Sequence, residues 1–387
     1  MKQLLAVVLL LTAGLFGCSA KQPEAPKEEE TPAVEDPVLK VEDVEIKEDP
    51  VFGSTIAQIS EEEFQSLGFA FGDSIGLYFS NGTELADIPY HNGYYSRIGE
   101  PVAVHYPGLY GLNFAYNLGS GTWETYGFKD TDTVTIVLNQ KGKYLKEQET
   151  FAQTHSDLLE DYESPEQFAN FRALSGGTLK KNLVYRSASM TNNTMNRADI
   201  VDDLAEQYGI KVVLDFSDTD EALAEYRAMD TWNSDYFDRL YEDGKISVLH
   251  LGVNPASEEF RTELSAALYK MTKEEGPYLF FCTEGKDRTG YASVLIEALC
   301  GATYDELLAD YMKTYENYYG MTMEEDYEQC RAAIDTSFDP IMEIMFSKQD
   351  GEDIKTMDYA PKARDFLKNG GLTDEQIDEM ISVLSEG

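Results

Sequence analysis

The 387 residues include 71 Asp and Glu against 31 Lys and Arg, a formal net charge of −40. Neutralising nucleic-acid phosphates requires a basic face, so nucleic acid is excluded as a partner, and acidity on this scale is mostly a matter of solubility. The length points to two folded domains, and the four cysteines form no disulfide framework.

Residues 1–20 read as a targeting segment, in which Lys2 precedes an apolar run from Leu4 to Leu11. The segment closes on Leu15-Phe16-Gly17-Cys18, which resembles the lipobox of bacterial lipoproteins. That resemblance implies a mature chain beginning at Cys18, lipidated on that residue and held on the extracytoplasmic side of a bacterial membrane through its lipid. No later run approaches the ~18 apolar residues that a membrane-crossing helix needs. Residues 21–50 are rich in Glu, Pro, Lys and Val, with the run Glu28-Glu29-Glu30. Such a composition cannot bury a core, and a disordered acidic tether is expected over this stretch.

Residues 51–150 alternate short strand patterns with turns. Strands are expected at Ile75–Phe79, Pro89–Tyr95, Val102–His105, Leu112–Tyr116 and Val134–Leu138, separated by Gly, Pro and Asn. This spacing predicts a small all-β domain, barrel-like or a sandwich. Tyr94, Tyr95, Tyr106, Tyr110, Tyr116 and Trp123 either fill its core and rim or offer a stacking surface to a ring-bearing ligand. Ser80-Asn81-Gly82, Pro89–Tyr95, Gly99-Glu100-Pro101, Tyr106-Pro107-Gly108 and Gly127–Tyr144 resemble the C-terminal β-barrel of the S-adenosylmethionine hydroxide adenosyltransferases. Upstream lies only the expected tether, with no counterpart of that family's other domain, so the resemblance implies an accessory or binding module.

Residues 151–387 begin with a polar connector and then alternate helix and strand. Phe168–Gly177 and Leu183–Ser187 lead into a helix near Arg197–Tyr208, and strands are expected at Lys211–Phe216, Ile246–Leu251 and Tyr278–Cys282. This alternation predicts an α/β domain, a mostly parallel sheet with helices on both faces. Ligands of such sheets sit at the carboxyl ends of the strands. Leu223–Asp243 reads as a lid or as a packing excursion. From Tyr304 onward the pattern is helical, with Thr373 as an N-cap.

The chemistry concentrates in Tyr278–Gly290. An apolar strand ends in Cys282, a loop runs through Thr283, Glu284, Gly285, Lys286 and Asp287, and Arg288, Thr289 and Gly290 open a helix. Backbone N–H groups of a strand-loop-helix turn surround a point where a dianion can sit. The helix N-terminus and Arg288 would favour a thiolate at Cys282, and Arg288 can hold two phosphate oxygens. Cys300 reads as core and Cys330 is unassigned. His105, His155 and His250 show no metal-ligand spacing, so no metal and no cofactor is implied.

These residues resemble the cysteine-dependent protein tyrosine phosphatases, whose signature is Cys, five residues, Arg, then Ser or Thr. The Gly-Lys-Asp-Arg-Thr-Gly version is similar to an atypical bacterial branch acting on lipids and proteins. The resemblance implies phosphomonoester hydrolysis through a phosphocysteine on Cys282. Arg288 and the loop from Thr283 to Asp287 would bind phosphate, and Thr289 would assist departure of the sulfur. The substrate would be an extracytoplasmic phosphorylated protein, lipid or small molecule. Where the family has His before the cysteine, this chain has Phe281. The general acid is open among Asp218, Asp215 and Asp287. The alternative function is a phosphate-binding pseudophosphatase, disabled by Phe281 and by the missing acid upstream of the loop.

Overall fold

The structure is a computed structural model that describes residues 39–50, 52–106, 110–119, 121–152 and 154–386. The expected targeting segment, Cys18 and most of the expected tether lie outside these residues. The tether does not extend to residue 50, because Lys40–Glu48 is a strand, β1. Val44 and Ile46 point inward while Glu45, Lys47 and Glu48 face solvent. This period-two alternation is diluted by its charged half when composition is averaged over a window.

From β1 the chain continues through β2 (Thr55–Ala57), helix α1 (Glu61–Ser66), β3 (Ser74–Phe79), β4 (Glu84–His91), β5 (Pro101–Val104) and β6 (Leu112–Tyr116). A short helix α2 (Thr122–Tyr126) precedes β7 (Thr133–Gln140). These seven strands of the described residues close a barrel in the order β1-β2-β6-β5-β4-β3-β7. All neighbours are antiparallel except β4 and β5. Closure leaves no strand edge exposed. Val44, Ile46, Phe64, Ile75, Leu77, Phe114 and Ile136 fill the interior.

Helix α3 (Leu145–Phe151) and the single turn α4 (Pro165–Phe168) lead to β8 (Arg172–Ala173) and β9 (Val184–Ser187). Then come α5 (Ala198–Gln207), β10 (Val212–Asp215), α6 (Asp220–Arg227), α7 (Asp235–Glu242), β11 (Ile246–Val248), α8 (Glu258–Met271) and β12 (Tyr278–Phe281). The described chain ends in helices α9 (Asp287–Leu299), α10 (Tyr304–Tyr319), α11 (Tyr327–Ala333), α12 (Asp339–Met345), α13 (Tyr359–Asn369) and α14 (Asp374–Leu384), with a π-helical turn at Ile334–Phe338. The sheet order is β11-β10-β12-β9-β8, parallel from β11 to β9 and antiparallel at the β8 edge.

Side-chain alternation along β12 decides what each face holds. Tyr278, Phe280 and Cys282 join the core built with α8, α9 and α10, whereas Leu279 and Phe281 join the core built with α5 and α7. Leu223, Phe237 and Leu240 are buried in that second core. The stretch Leu223–Asp243 is thereby packed against the sheet instead of standing over it as a lid.

Residues from Leu39 onward form one compact unit. Ile98 and Leu118, from barrel loops, pack against the core that contains Cys282, and α3 packs on α11. The barrel has its own interior yet is docked on the α/β part.

Candidate active site

Three parallel strands end together, and the side chains at their carboxyl ends build the site. Phe281, the last residue of β12, pairs with Asp215 of β10 on one side and Ser187 of β9 on the other. Cys282 follows at the floor, 3% exposed. The loop then turns sharply at Gly285, whose φ of +70° is left-handed. A Cβ there would lie 2.3 Å from the Ser187 carbonyl oxygen, so only glycine fits against the end of β9.

Loop carbonyls are held from outside. The Ser189 N–H donates to the Thr283 carbonyl at 3.1 Å. Asn170 Nδ2 donates to the carbonyls of Glu284 and Gly285, both at 3.3 Å. Arg186 Nη2 donates to the Gly285 carbonyl at 2.6 Å. With these oxygens tied to the periphery, the peptide N–H groups of the same turn are left for the concave side, as an anion-binding nest requires.

The brace is itself anchored by buried charge. Arg172 and Arg186 both bind Asp310 of α10, Arg172 Nε at 2.8 Å, and both donate to Thr314 Oγ1. Burial pushes the Asp310 carboxyl up, but the two guanidinium groups outweigh it and hold it below the ordinary carboxylate range. Glu297 on α9 accepts the N–H groups of Ser175 and Gly176. Its burial, followed by the charge of Asp310, pushes it up to about 8. Asn170, Arg186, Asp310 and Glu297 were not singled out in the sequence. Arg186 in the otherwise apolar run Leu183-Val184-Tyr185 was the available signal, because a charge inside a buried strand must have a partner.

Arg288 is the second residue of α9 and leans across the strand ends. Its Nη1 donates to the carbonyls of Phe216 at 3.2 Å and Leu251 at 3.3 Å, and its Nη2 reaches Thr283 Oγ1 at 3.5 Å. The guanidinium thus sits beside the turn carrying Asp218. Thr289 Oγ1 is buried without a hydrogen-bond partner among the described residues, and Gly290 lies beside it in the buried first turn of α9. On the other rim, Glu284 accepts the Tyr319 hydroxyl at 2.7 Å, and Lys286 Nζ stands 3.7 Å from Glu284 and 5.6 Å from the Tyr319 ring centre. Burial opposes the Lys286 charge, but Asp287, Tyr319 and Glu284 around it prevail and hold the ammonium well above its ordinary value.

The three candidate acids occupy different surroundings. Asp215 is fully buried, and its Oδ1 accepts from the Ser217 and Asp218 N–H groups and from the Ser217 hydroxyl. Burial, then the adjacent Asp218 charge, raises Asp215 well above the ordinary carboxylate range. Asp218, 6% exposed, accepts from the Thr191 hydroxyl at 2.5 Å. Asp287 is the first residue of α9, on the Lys286 side. Phe281 points into the core on the far face of the sheet from Cys282. Its ring therefore takes no space in the anion site.

Comparison with known proteins agrees with this part of the chain. Residues 164–386 match the family described as "Tyrosine phosphatase family". A Cupriavidus necator protein carrying the name "Putative tyrosine-protein phosphatase" is 50% identical over 36 residues, 9% of this chain and 13% of its own length. The match thus spans about an eighth of that relative. Among solved structures, the core catalytic domain of the PP-IP phosphatase Siw14 from S. cerevisiae, in complex with citrate, is similar over 46% of this chain and 91% of its own, with 17% identity and a TM-score of 0.27.

Proposed function

The chain belongs to the tyrosine phosphatase family, and from that premise we propose that it hydrolyses phosphomonoesters through a phosphocysteine on Cys282. The observation that carries this reading is the loop itself. Cys282 lies at the floor, the carbonyls of Thr283, Glu284 and Gly285 are tied outward, and Arg288 stands at the opposite lip.

In the first step the Cys282 thiolate attacks phosphorus, an S–P bond forms and the P–O bond to the leaving group breaks. Loop N–H groups and the Arg288 guanidinium carry the charge on the equatorial oxygens. The leaving oxygen takes a proton from a carboxylic acid. We assign that acid to Asp218, whose turn adjoins Arg288 through the Phe216 carbonyl, with buried Asp215 ordering the turn behind it by accepting the Asp218 N–H. In the second step water gives its proton back to the carboxylate and attacks phosphorus. The S–P bond breaks and orthophosphate leaves. The Thr289 hydroxyl, unpartnered among the described residues, is available to the departing sulfur. Lys286 and Asp287 would contact the substrate at the rim.

The presence together of Cys282, Arg288 and Thr289 supports an active enzyme over a phosphate-binding pseudophosphatase. We further propose that the protein is a lipoprotein anchored through Cys18, and that it acts outside the cytoplasm on a phosphorylated protein, lipid or small molecule. The barrel, similar in sequence to the adenosyltransferase β-barrel, would serve as its accessory module. Among the described residues no helix is long and apolar enough to cross a membrane.

The test is turnover of an aryl phosphate by the full-length protein beside Cys282→Ser and Arg288→Ala. Turnover abolished by both changes supports the mechanism. A parent that binds orthophosphate through Arg288 yet turns nothing over refutes it in favour of a binding module.

A further inference from the structure

The chain leaves β9 through Ala188, Ser189, Met190, Thr191 and Asn192, and this connector touches both the phosphate loop and the assigned acid. The Ser189 N–H donates to the Thr283 carbonyl at 3.1 Å. Two residues on, Thr191 Oγ1 lies 2.5 Å from Asp218 Oδ2. Ser189, Thr191 and Asp218 are all buried, and bulk water does not compete for these bonds.

The direction of the bond to Asp218 follows from the hydrogens available. A hydroxyl has one hydrogen to give and two lone pairs to receive. The Ser189 hydroxyl oxygen accepts the N–H groups of Thr191 at 3.2 Å and Asn192 at 2.9 Å, which occupies both lone pairs. It stands 3.0 Å from Thr191 Oγ1 and can meet that oxygen only as the donor. The Thr191 hydrogen is therefore left for Asp218, and Oδ2 accepts it. Neighbouring residues hold the connector in place. The Ser234 hydroxyl donates to the Met190 carbonyl at 3.2 Å, and Asn192 Nδ2 donates to the Tyr226 hydroxyl at 3.2 Å.

We propose that Thr191 is a positioning residue for the proton donor: it holds Asp218 through Oδ2 and so reserves Oδ1 for the proton that the leaving oxygen receives. The proposal rests on the phosphatase reading above and on the assignment of Asp218. As the P–O bond breaks, its electron pair goes to the leaving oxygen, which takes the proton from Oδ1. The O–H pair stays behind on Asp218 as carboxylate charge, and Thr191 keeps its own hydrogen throughout. A hydrogen bond to an ionised group is about twice as strong as one between neutral groups. The Thr191 bond thus tightens as the charge develops, and an interaction that grows toward the transition state raises the rate. Through Ser189 the same connector sets the acid's position relative to the loop.

The test is kcat/KM of the full-length protein on two substrates with different needs. Benzyl phosphate releases an alkoxide that must be protonated, whereas nitrophenyl phosphate releases an anion that needs no proton. Thr191→Val, close in shape but without the hydroxyl, should lose roughly tenfold or more on benzyl phosphate and less than about threefold on nitrophenyl phosphate. Thr191→Ala, too small to clash, should repeat that pattern. Thr191→Ser, which keeps the hydroxyl, should stay within about threefold of the parent on both substrates. An equal loss on the two substrates in the valine and alanine variants would mark a displaced loop and overturn the proposal. So would no loss in either, or a serine variant as impaired as the alanine one. A parent inactive on both substrates would sink the phosphatase reading itself. An active parent in which Asp218→Asn slows both substrates equally would sink the assignment of Asp218, and the role of Thr191 with it, while leaving the phosphatase reading intact.

Discussion

Replacing Gly285 with alanine perturbs the shape of the loop without removing any of its peptide N–H groups. The new Cβ would sit 2.3 Å from the Ser187 carbonyl oxygen, 2.6 Å from its carbon and 2.9 Å from the Ala188 nitrogen. All three are backbone atoms, and Ser187 is paired with Phe281 in the sheet, so β9 has little room to yield. Holding an alanine at φ +70° costs about 1–2 kcal/mol by itself. Reaching ordinary contact distance moves the loop by about 1 Å, and a misplacement of that size can lower a rate about a hundredfold. The same movement stretches the 2.6 Å bond from Arg186 and the pair from Asn170. We expect Gly285→Ala to lower kcat/KM for an aryl phosphate roughly a hundredfold and to reduce the melting temperature by a few degrees. Steady-state kinetics beside a thermal melt measure both. Activity within about threefold of the parent would refute the claim that β9 and the loop are in rigid contact.

Asp218→Asn should lower kcat roughly a hundredfold for an alkyl phosphate and much less for a nitrophenyl phosphate, whose leaving group needs no proton. If Asp287→Asn shows that pattern in its place, the acid has been misassigned. Arg186→Met leaves Asp310 with one of its two guanidinium partners and frees the Gly285 carbonyl, and urea unfolding should register a loss of about 3–5 kcal/mol. Glu297, raised to about 8 in the folded state, binds more protons folded than unfolded. Its contribution is complete below the unfolded value near 4.5 and is lost as pH rises through about 8. Glu297→Gln should flatten that fall, which is at most about 1.4 kcal/mol per pH unit; an unchanged slope across this window would exclude Glu297 as its source. Deleting the strand Lys40–Glu48 removes the partner of both β2 and β7 and opens the barrel. Limited proteolysis should then cut within residues 52–140, where the full-length chain resists.

The strand-loop-helix turn around Cys282 was legible because its parts are local. A strand, Cys282, a glycine-bearing turn, Arg288 and a helix start follow one another within a single stretch, so their spacing alone brings them together. The brace was not legible. Asn170, Arg186, Asp310 and Glu297 are separated by long stretches of chain, and each is an ordinary polar residue until β9, α9 and α10 are stacked around the loop. β1 escaped for a different reason, since only its inward half is apolar and the outward half resembles the acidic stretch before it. Phe281, standing where the resembled family has His, is directed by sheet alternation into the opposite core, which only the folded sheet could show.

Order along the chain therefore determined that Cys282, the turn at Gly285 and Arg288 share one strand-loop-helix unit, because that depends on contacts between near neighbours. Tertiary structure alone decided which carbonyls are tied back and which aspartates share a buried turn. Each of these depends on the closure of long segments of chain, and side-chain pairs made that way have no signature in local sequence.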